Sequence, residues 1–335
     1  RGGTRQPRVH LKGMNRMVRR RDLLCFAMAS AASIAGTQMA RAQAAKPSKR
    51  GGEAGSVSIA LALGGGAARG IAHIPILEAF DELGIKPSVI AGTSIGSIMG
   101  ACYASGLPGR ELRQFVVELF EKRSELLRRL FAAPSGSWAS IFQFSTSALI
   151  KADHLFKLIL PAQVPDRFED LVLPLKVVAT DFFDQSQIIF ESGRLLPAIG
   201  SSSALPGLLS PVEHSGRLLI DGGFVNPTPS DVIEGVASYT VAVDLTGHQV
   251  RPGPSLPNAI EMLTGATQIA LHTIAQNKLV HMRPDLLVTP DVQDFDSMDF
   301  YKTKEILAAA EPGKEVVKRG LDRLLNSKAG PASPK

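Results

Sequence analysis

Residues 57–104 read VSIALALGGGAARGIAHIPILEAFDELGIKPSVIAGTSIGSIMGACYA, and the order of properties along this stretch decides the fold. An apolar run at 57–63 stops at three glycines. A helical pattern follows over about 68–83, then a short apolar run at 88–91, then a second helical pattern at 95–104. Strand, glycine turn, helix, strand, tight turn and helix make a β-α-β unit, whose strands lie parallel with helices packed on the sheet. Outward from this unit the alternation continues. Strands are expected at 175–180, 187–190, 218–220, 239–244 and 286–288, and helices at 109–123, 153–160, 195–202, 258–281 and 303–325. Together they predict one α/β domain over 56–326, a three-layer α/β/α arrangement around a mostly parallel sheet.

The glycine turn is Gly64-Gly65-Gly66-Ala67-Ala68-Arg69-Gly70, placed where the first strand ends and the first helix begins. Glycines there let backbone N–H groups face an incoming anion, and a helix N-terminus adds a positive dipole. Two nucleotide readings fail on particular residues. A dinucleotide fingerprint counted from Gly64 needs glycine where Arg69 stands, and a phosphate loop counted from Gly65 needs Lys and Ser/Thr where Ile71 and Ala72 stand. What remains is an oxyanion cradle or a plain structural turn.

The second motif is Gly92-Thr93-Ser94-Ile95-Gly96, a G-x-S-x-G pentapeptide at a strand-to-helix junction, 28 residues after Gly66. That geometry holds a serine hydroxyl clear of the sheet, with Gly92 and Gly96 making room for the elbow. One β-α-β unit thus puts a nucleophile and an anion cradle on adjacent parallel strands. A serine hydroxyl needs a base, since its own proton is held too tightly at neutral pH. Asp221-Gly222-Gly223, after the strand at 218–220, supplies a carboxylate at a strand end. Standing alone, that tripeptide reads equally well as a turn.

These three blocks, with Ser201-Ser202-Ser203-Ala204-Leu205-Pro206, closely resemble the patatin-like phospholipases, and the likeness covers nearly all of 56–288. The resemblance implies a patatin-like fold and a serine acyl hydrolase acting on lipid or phospholipid esters at a membrane surface. It further implies a Ser94–Asp221 dyad, with an oxyanion hole from Gly64, Gly65, Gly66 and the helix start near Arg69. No metal and no organic cofactor is expected, and no nucleic acid or nucleotide partner. Pro75 departs from the family pattern, which has glycine there, and is expected to kink the first helix.

Other readings use the same residues. A Ser-Asp-His triad needs a histidine after the acid; His248, His272 and His281 qualify by order, but two of them fall in the helical stretch at 258–281. A lipid-binding protein or an acyl transferase would also keep the cleft. His73 on the first helix reads as a packed or capping residue, and Arg69 either orients the glycine turn or neutralises a lipid phosphate. Asp181 and Asp184 read as a turn rather than metal ligands, because no His or Cys accompanies them at metal spacing. The stretch 130–150 mixes Phe131, Trp138, Phe142 and Phe144 with small residues and reads as a lip or as core.

The formal charge of +6 is misleading as a guide to partners. Of 37 Lys+Arg and 31 Asp+Glu, residues 1–50 hold 12 and one, so the remainder is acidic by about five charges. Arg19-Arg20-Arg21 precedes an apolar, Ala-rich run too short to span a bilayer, and A-x-A patterns follow at Ala40-Arg41-Ala42 and Ala42-Gln43-Ala44. Residues 1–43 therefore read as a leader resembling a twin-arginine export signal, which predicts a periplasmic or secreted protein, and a cytoplasmic or membrane-associated one if the leader stays. Residues 44–55 read as a linker and 327–335 as a disordered tail. Of two cysteines, Cys25 lies in the leader; Cys102 remains alone among small apolar residues and reads as a packed thiol.

Overall fold

A computed structural model describes residues 57–122, 152–247 and 259–326; the expected leader, linker and tail, and the aromatic stretch at 130–150, lie outside the described residues. The strands are β1 (Ile59–Leu63), β2 (Val89–Thr93), β3 (Leu175–Asp181), β4 (Ser186–Phe190), β5 (Val212–His214), β6 (Arg217–Asp221), β7 (Tyr239–Val243) and β8 (Leu286–Val288). The helices are α1 (His73–Glu82), α2 (Ile95–Ala104), α3 (Gly109–Lys122), α4 (Ala152–Ile159), α5 (Leu195–Ser202), α6 (Ala259–His281) and α7 (Thr303–Asn326). All eight strands join one sheet in the order β5-β6-β3-β2-β1-β7-β8, with β4 paired to β3. The run from β3 to β8 is parallel, whereas β4 and β6 pair antiparallel to β3 and β5 to β6. The fold is a mixed α/β one around a mostly parallel sheet.

The two faces of the sheet are covered unequally, and the strand sequences show why. In β1, Ile59, Leu61 and Leu63 join the large core with α1, α2, α3 and α7 residues, while Ala60 and Ala62 point the other way. That second face carries Ala91 and Ala242 as well, and Ile233 from a short 3-10 turn (Ser230–Ile233) fills it. Side chains on opposite sides of a strand alternate, so large and small residues in turn let a thick helical layer form on one side and a loop approach closely on the other. On the helical side α1, α3 and α7 are tied by Glu78, nearly buried, which accepts from Arg113 at 2.6 Å and from Lys314 at 2.7 Å.

Pro75 does not break a helix. The chain from Ala67 to Ala72 forms a 3-10 turn, and α1 starts only at His73. Pro75 then sits in the first turn, where the missing N–H would have no intrahelical acceptor in any case. Asp181 and Asp184 occupy the turn between β3 and β4: Asp181 Oδ1 accepts from the N–H groups of Phe183 and Asp184, both at 3.1 Å, and Oδ2 takes Arg217 at 2.9 Å. Among the described residues no cluster of His, Cys, Asp and Glu suits a metal ion. Cys102 is buried and its thiol pushed up to about 12 by desolvation, as befits an inert packed side chain.

The placement of the site depends on β3. At Val178 this strand pairs with Thr93 of β2 on one edge and Ile189 of β4 on the other. One residue later Ala179 pairs with Ile188 of β4 and with Asp221 of β6. With β4 keeping its edge throughout, β2 and β6 meet end to end along the opposite edge of β3. The close fit at this junction needs a bare backbone: a Cβ on Gly222 would lie 2.1 Å from the carbonyl oxygen of Val178. Gly222→Ala is therefore expected to lower stability by about 1–3 kcal/mol, measured by urea unfolding, and to cost activity as well. Wild-type values for both would contradict the junction described.

Candidate active site

Ser94 follows β2 and caps α2 with φ 53 and ψ −124, a conformation strained for any residue but glycine. Three contacts hold it there. Its N–H donates to Ser202 Oγ at 2.8 Å, its carbonyl accepts from Ser97 Oγ at 2.7 Å, and its hydroxyl donates to Asp221 Oδ2 at 2.6 Å. Gly96 permits the elbow to close on β1, since a Cβ there would stand 2.1 Å from the Leu63 carbonyl oxygen.

Asp221 ends β6 and is 6% exposed. Its other carboxyl oxygen accepts from Gly223 N–H at 2.8 Å, its N–H donates to the Ala204 carbonyl at 3.0 Å, and its carbonyl accepts from Thr180 Oγ1 at 2.8 Å. Burial pushes the carboxyl up to about 6, against the opposing hydrogen bonds from Ser94 and Gly223. Among the described residues no imidazole shares this carboxylate. His272 Nδ1 meets Thr246 Oγ1 at 3.2 Å, and His281 is exposed at the end of α6; His248 lies outside the described residues.

The glycine turn divides into residues that build it and residues left free. Gly64 N–H donates to the Val243 carbonyl at 3.0 Å and Gly65 N–H to the Pro227 carbonyl at 2.9 Å. Arg69 N–H closes the turn onto the Gly66 carbonyl at 3.1 Å. The buried Arg69 guanidinium turns to α6, donating to Gln268 Oε1 at 2.7 Å; burial lowers its pKa while Asp244 and Asp296 oppose that. Gly64, Gly65 and Arg69 are thus committed to structure, whereas the N–H groups of Gly66 and Ala67 make no hydrogen bond among the described residues. Ala67, at φ 49, is the second strained non-glycine position of the site. Gly65 runs beside the nucleophile, where a Cβ would stand 3.5 Å from Ser94 Cβ.

His73, read from the sequence as a packed or capping residue, supports this turn directly. Its ring is fully buried, and desolvation pulls its pKa down to about 4, so it is neutral near pH 7. The Gly64 carbonyl, 2.8 Å from Nε2, can only accept, so Nε2 carries the proton and donates.

A cavity of about 120 Å³ opens beside the dyad. Its wall is almost wholly apolar, with Ile98, Met99, Phe115, Leu155, Phe156 and Phe300 from α2, α3, α4 and the turn before α7. Ser94, Ser203 and Asp221 are its polar members. Ser202 and Ser203 were visible in the sequence only as members of a small-residue segment. Their contacts arise because the end of α5 lies against both β3 and β6.

A family model described as Patatin-like phospholipase matches residues 61–232, which takes in the glycine turn, the elbow and the aspartate. The chain belongs to the patatin-like phospholipase family. An uncharacterized NTE family protein from Mycobacterium tuberculosis is 35% identical over 198 residues, 59% of this chain and 51% of that protein. Patatin-like phospholipase domain-containing protein 6 of Homo sapiens is 32% identical over 192 residues, 56% of this chain but 13% of its own length. The chain thus spans about half the length of the mycobacterial relative and a small part of the human one. VipD from Legionella pneumophila superposes with a TM-score of 0.42 at 13% identity, covering 79% of this chain and 66% of that chain.

The buried patatin-like aspartate has a thermodynamic consequence. A carboxyl whose folded pKa lies above its unfolded value of 3.8 binds its proton more tightly when folded. Its contribution to stability is full below that unfolded value and is lost as pH rises to about 6. Asn has no such penalty. Asp221→Asn is expected to match wild type in stability near pH 4 and exceed it by about 3 kcal/mol at pH 7–8, read from denaturant midpoints. A gain of equal size at both pH values would show that ionisation of Asp221 is not its source.

Proposed function

We propose that the protein is a serine acyl hydrolase of lipid esters that uses Ser94 as nucleophile and Asp221 as general base, with Gly66 and Ala67 as oxyanion donors. The observation that carries this is the 2.6 Å hydrogen bond from Ser94 Oγ to a buried carboxylate with no histidine between them.

Asp221 takes the proton of Ser94 as the hydroxyl oxygen bonds to the acyl carbon. The carbonyl oxygen, becoming negative, is received by the two unspent N–H groups of Gly66 and Ala67. Such donors matter most because they act on charge that develops only in the transition state; losing one typically costs about 10²–10³ in rate. The tetrahedral intermediate collapses, the carbon–oxygen bond to the alcohol breaks, and the alcohol leaves with the proton from Asp221. Water repeats the sequence on the acyl-enzyme and frees the acid. An ordinary aspartate, with a pKa of about 3.9, is a feeble base. One held near 6 by burial is better matched to the task and is still mostly ionised at neutral pH.

The cavity supports an aliphatic acyl group as substrate, since its wall offers apolar contact and few competing polar groups. Exposed apolar side chains on α6, Met262, Leu263 and Ile269, support encounter with a lipid surface: the same helix places Leu271 against the Asp221–Gly223 turn. Among the described residues no helix is long and apolar enough to cross a membrane. Export through the basic leader is proposed on the sequence pattern alone.

Ser94→Ala is expected to abolish turnover of a p-nitrophenyl acyl ester and labelling by a fluorophosphonate, with the fold unchanged by circular dichroism. A Ser94→Ala enzyme at wild-type rate would sink the dyad. For the wild type, kcat/KM is expected to rise tenfold per pH unit below about 6 and level off above it, as the base loses its proton. A limb near 7 that moves on replacing a histidine would point to a triad instead. Replacing both Leu263 and Ile269 by Asp is expected to lower the ratio of phospholipid-vesicle to soluble-ester activity by about tenfold; an unaltered ratio would remove α6 from the lipid surface.

A further inference from the structure

The hydroxyl of Ser203 has no assigned purpose. Ser203 is 8% exposed, and its Oγ is buried without a hydrogen-bond partner among the described residues. A buried hydroxyl left unpaired costs about 1–3 kcal/mol, so such a group calls for an explanation. Its position supplies one. Ser203 lines the cavity together with Ser94 and Asp221. Its neighbours on either side hold those two residues: Ser202 Oγ accepts from the Ser94 N–H at 2.8 Å, and the Ala204 carbonyl accepts from the Asp221 N–H at 3.0 Å. Ser203 itself caps α5 at φ −109 and ψ 5, its N–H donating to the Ile199 carbonyl at 3.0 Å while its hydroxyl is left to turn. The hydroxyl therefore belongs to the same cavity wall as nucleophile and base, whose own side chains are engaged with each other.

An ester brings two oxygens to this place. The carbonyl oxygen is accounted for by the N–H groups of Gly66 and Ala67. The alkoxy oxygen has no donor among the groups described so far until Asp221 takes up the serine proton, and it must lie close to Asp221 to collect that proton as it departs. We propose that Ser203 is a leaving-group-binding residue whose hydroxyl donates a hydrogen bond to the alkoxy oxygen of the scissile ester. As the carbon–oxygen bond breaks, electron density gathers on that oxygen and the hydrogen bond tightens. It is then stronger in the transition state than in bound substrate, which is the condition for it to raise the rate. Ser203 keeps its own proton; the alcohol is protonated by Asp221. The inference rests on the dyad reading above.

Sulfur accepts hydrogen bonds poorly, so a thioester removes the acceptor and leaves the acyl chain in place. The test compares ethyl octanoate with S-ethyl octanethioate by kcat/KM, which reports acylation, with active sites counted by fluorophosphonate labelling. Ser203→Ala is expected to lower the ester-to-thioester ratio five- to tenfold relative to wild type, and Ser203→Thr, which retains a hydroxyl, to restore most of it. A Ser203→Ala enzyme whose ratio equals that of wild type, whether both rates fall together or neither falls, would overturn the assignment and leave the dyad standing. Ser203→Gly, without a side chain to misfit, gives the same readout should the alanine variant fail to fold. If wild type turned over neither substrate and Ser94 took no label, the dyad itself would fall and this inference with it.

Discussion

One edge of one strand makes the site. Between Val178 and Ala179 the hydrogen bonds of β3 pass from β2 to β6, and the residues that end those strands, Thr93 and Asp221, become consecutive partners on that edge. Ser94 and Asp221, separated by 127 residues in sequence, are brought by this register to within 2.6 Å. A slip by one residue would turn the carboxylate to the opposite face. The hand-over explains the glycine after Asp221, since Gly222 admits the Val178 carbonyl; Gly96 serves the elbow instead, admitting the carbonyl of Leu63 in β1. The end of α5 completes the frame by touching both residues through Ser202 and Ala204.

The frame has to be firm because its contents are unfavourable. An ionised carboxylate in a buried place and two non-glycine residues at positive φ, Ser94 and Ala67, all oppose folding. The strain is confined to the end of a sheet whose central strands are wholly buried and whose main core draws on α1, α2, α3 and α7. Glu78, Arg113 and Lys314 fasten three of those helices some way from the dyad. Rigidity is thus concentrated where it can hold the elbow without crowding it.

The β-α-β unit, the glycine turn and the serine elbow were legible because each has a local signature: apolar runs of strand length, consecutive glycines, and G-x-S-x-G between a strand and a helix. The short strand β5 was missed, for Val212–His214 is half polar and takes its pairing from β6. Pro75 misled because a helix drawn from 68 puts it mid-helix, whereas the 3-10 turn moves the true start to His73. The free amide donors were beyond sequence reading altogether. Three glycines announce a turn, but which N–H groups remain unspent depends on the carbonyls of Val243 and Pro227, far along the chain. The alternation of Ile and Leu with Ala in β1 did carry a message, one face for a thick helical layer and one for a closely approaching loop, that a search for helix and strand periods passes over.

Base strength and substrate binding are linked through the same apolar wall. The Asp221 carboxyl is pushed up to about 6 chiefly because water is kept from it, and the cavity beside it is what an acyl chain would occupy. Under the function proposed above, an acyl chain filling the cavity would exclude water from Ser94 and Asp221, and so would strengthen the base at the moment it delivers the carbonyl carbon. A histidine, charged when protonated, would be disfavoured by that same dryness. A protonated aspartate is neutral, and a Ser–Asp pair acting as proposed would pass its proton without leaving a cation behind in an apolar cleft. A base without an imidazole would therefore suit a site whose substrate is itself the means of excluding water.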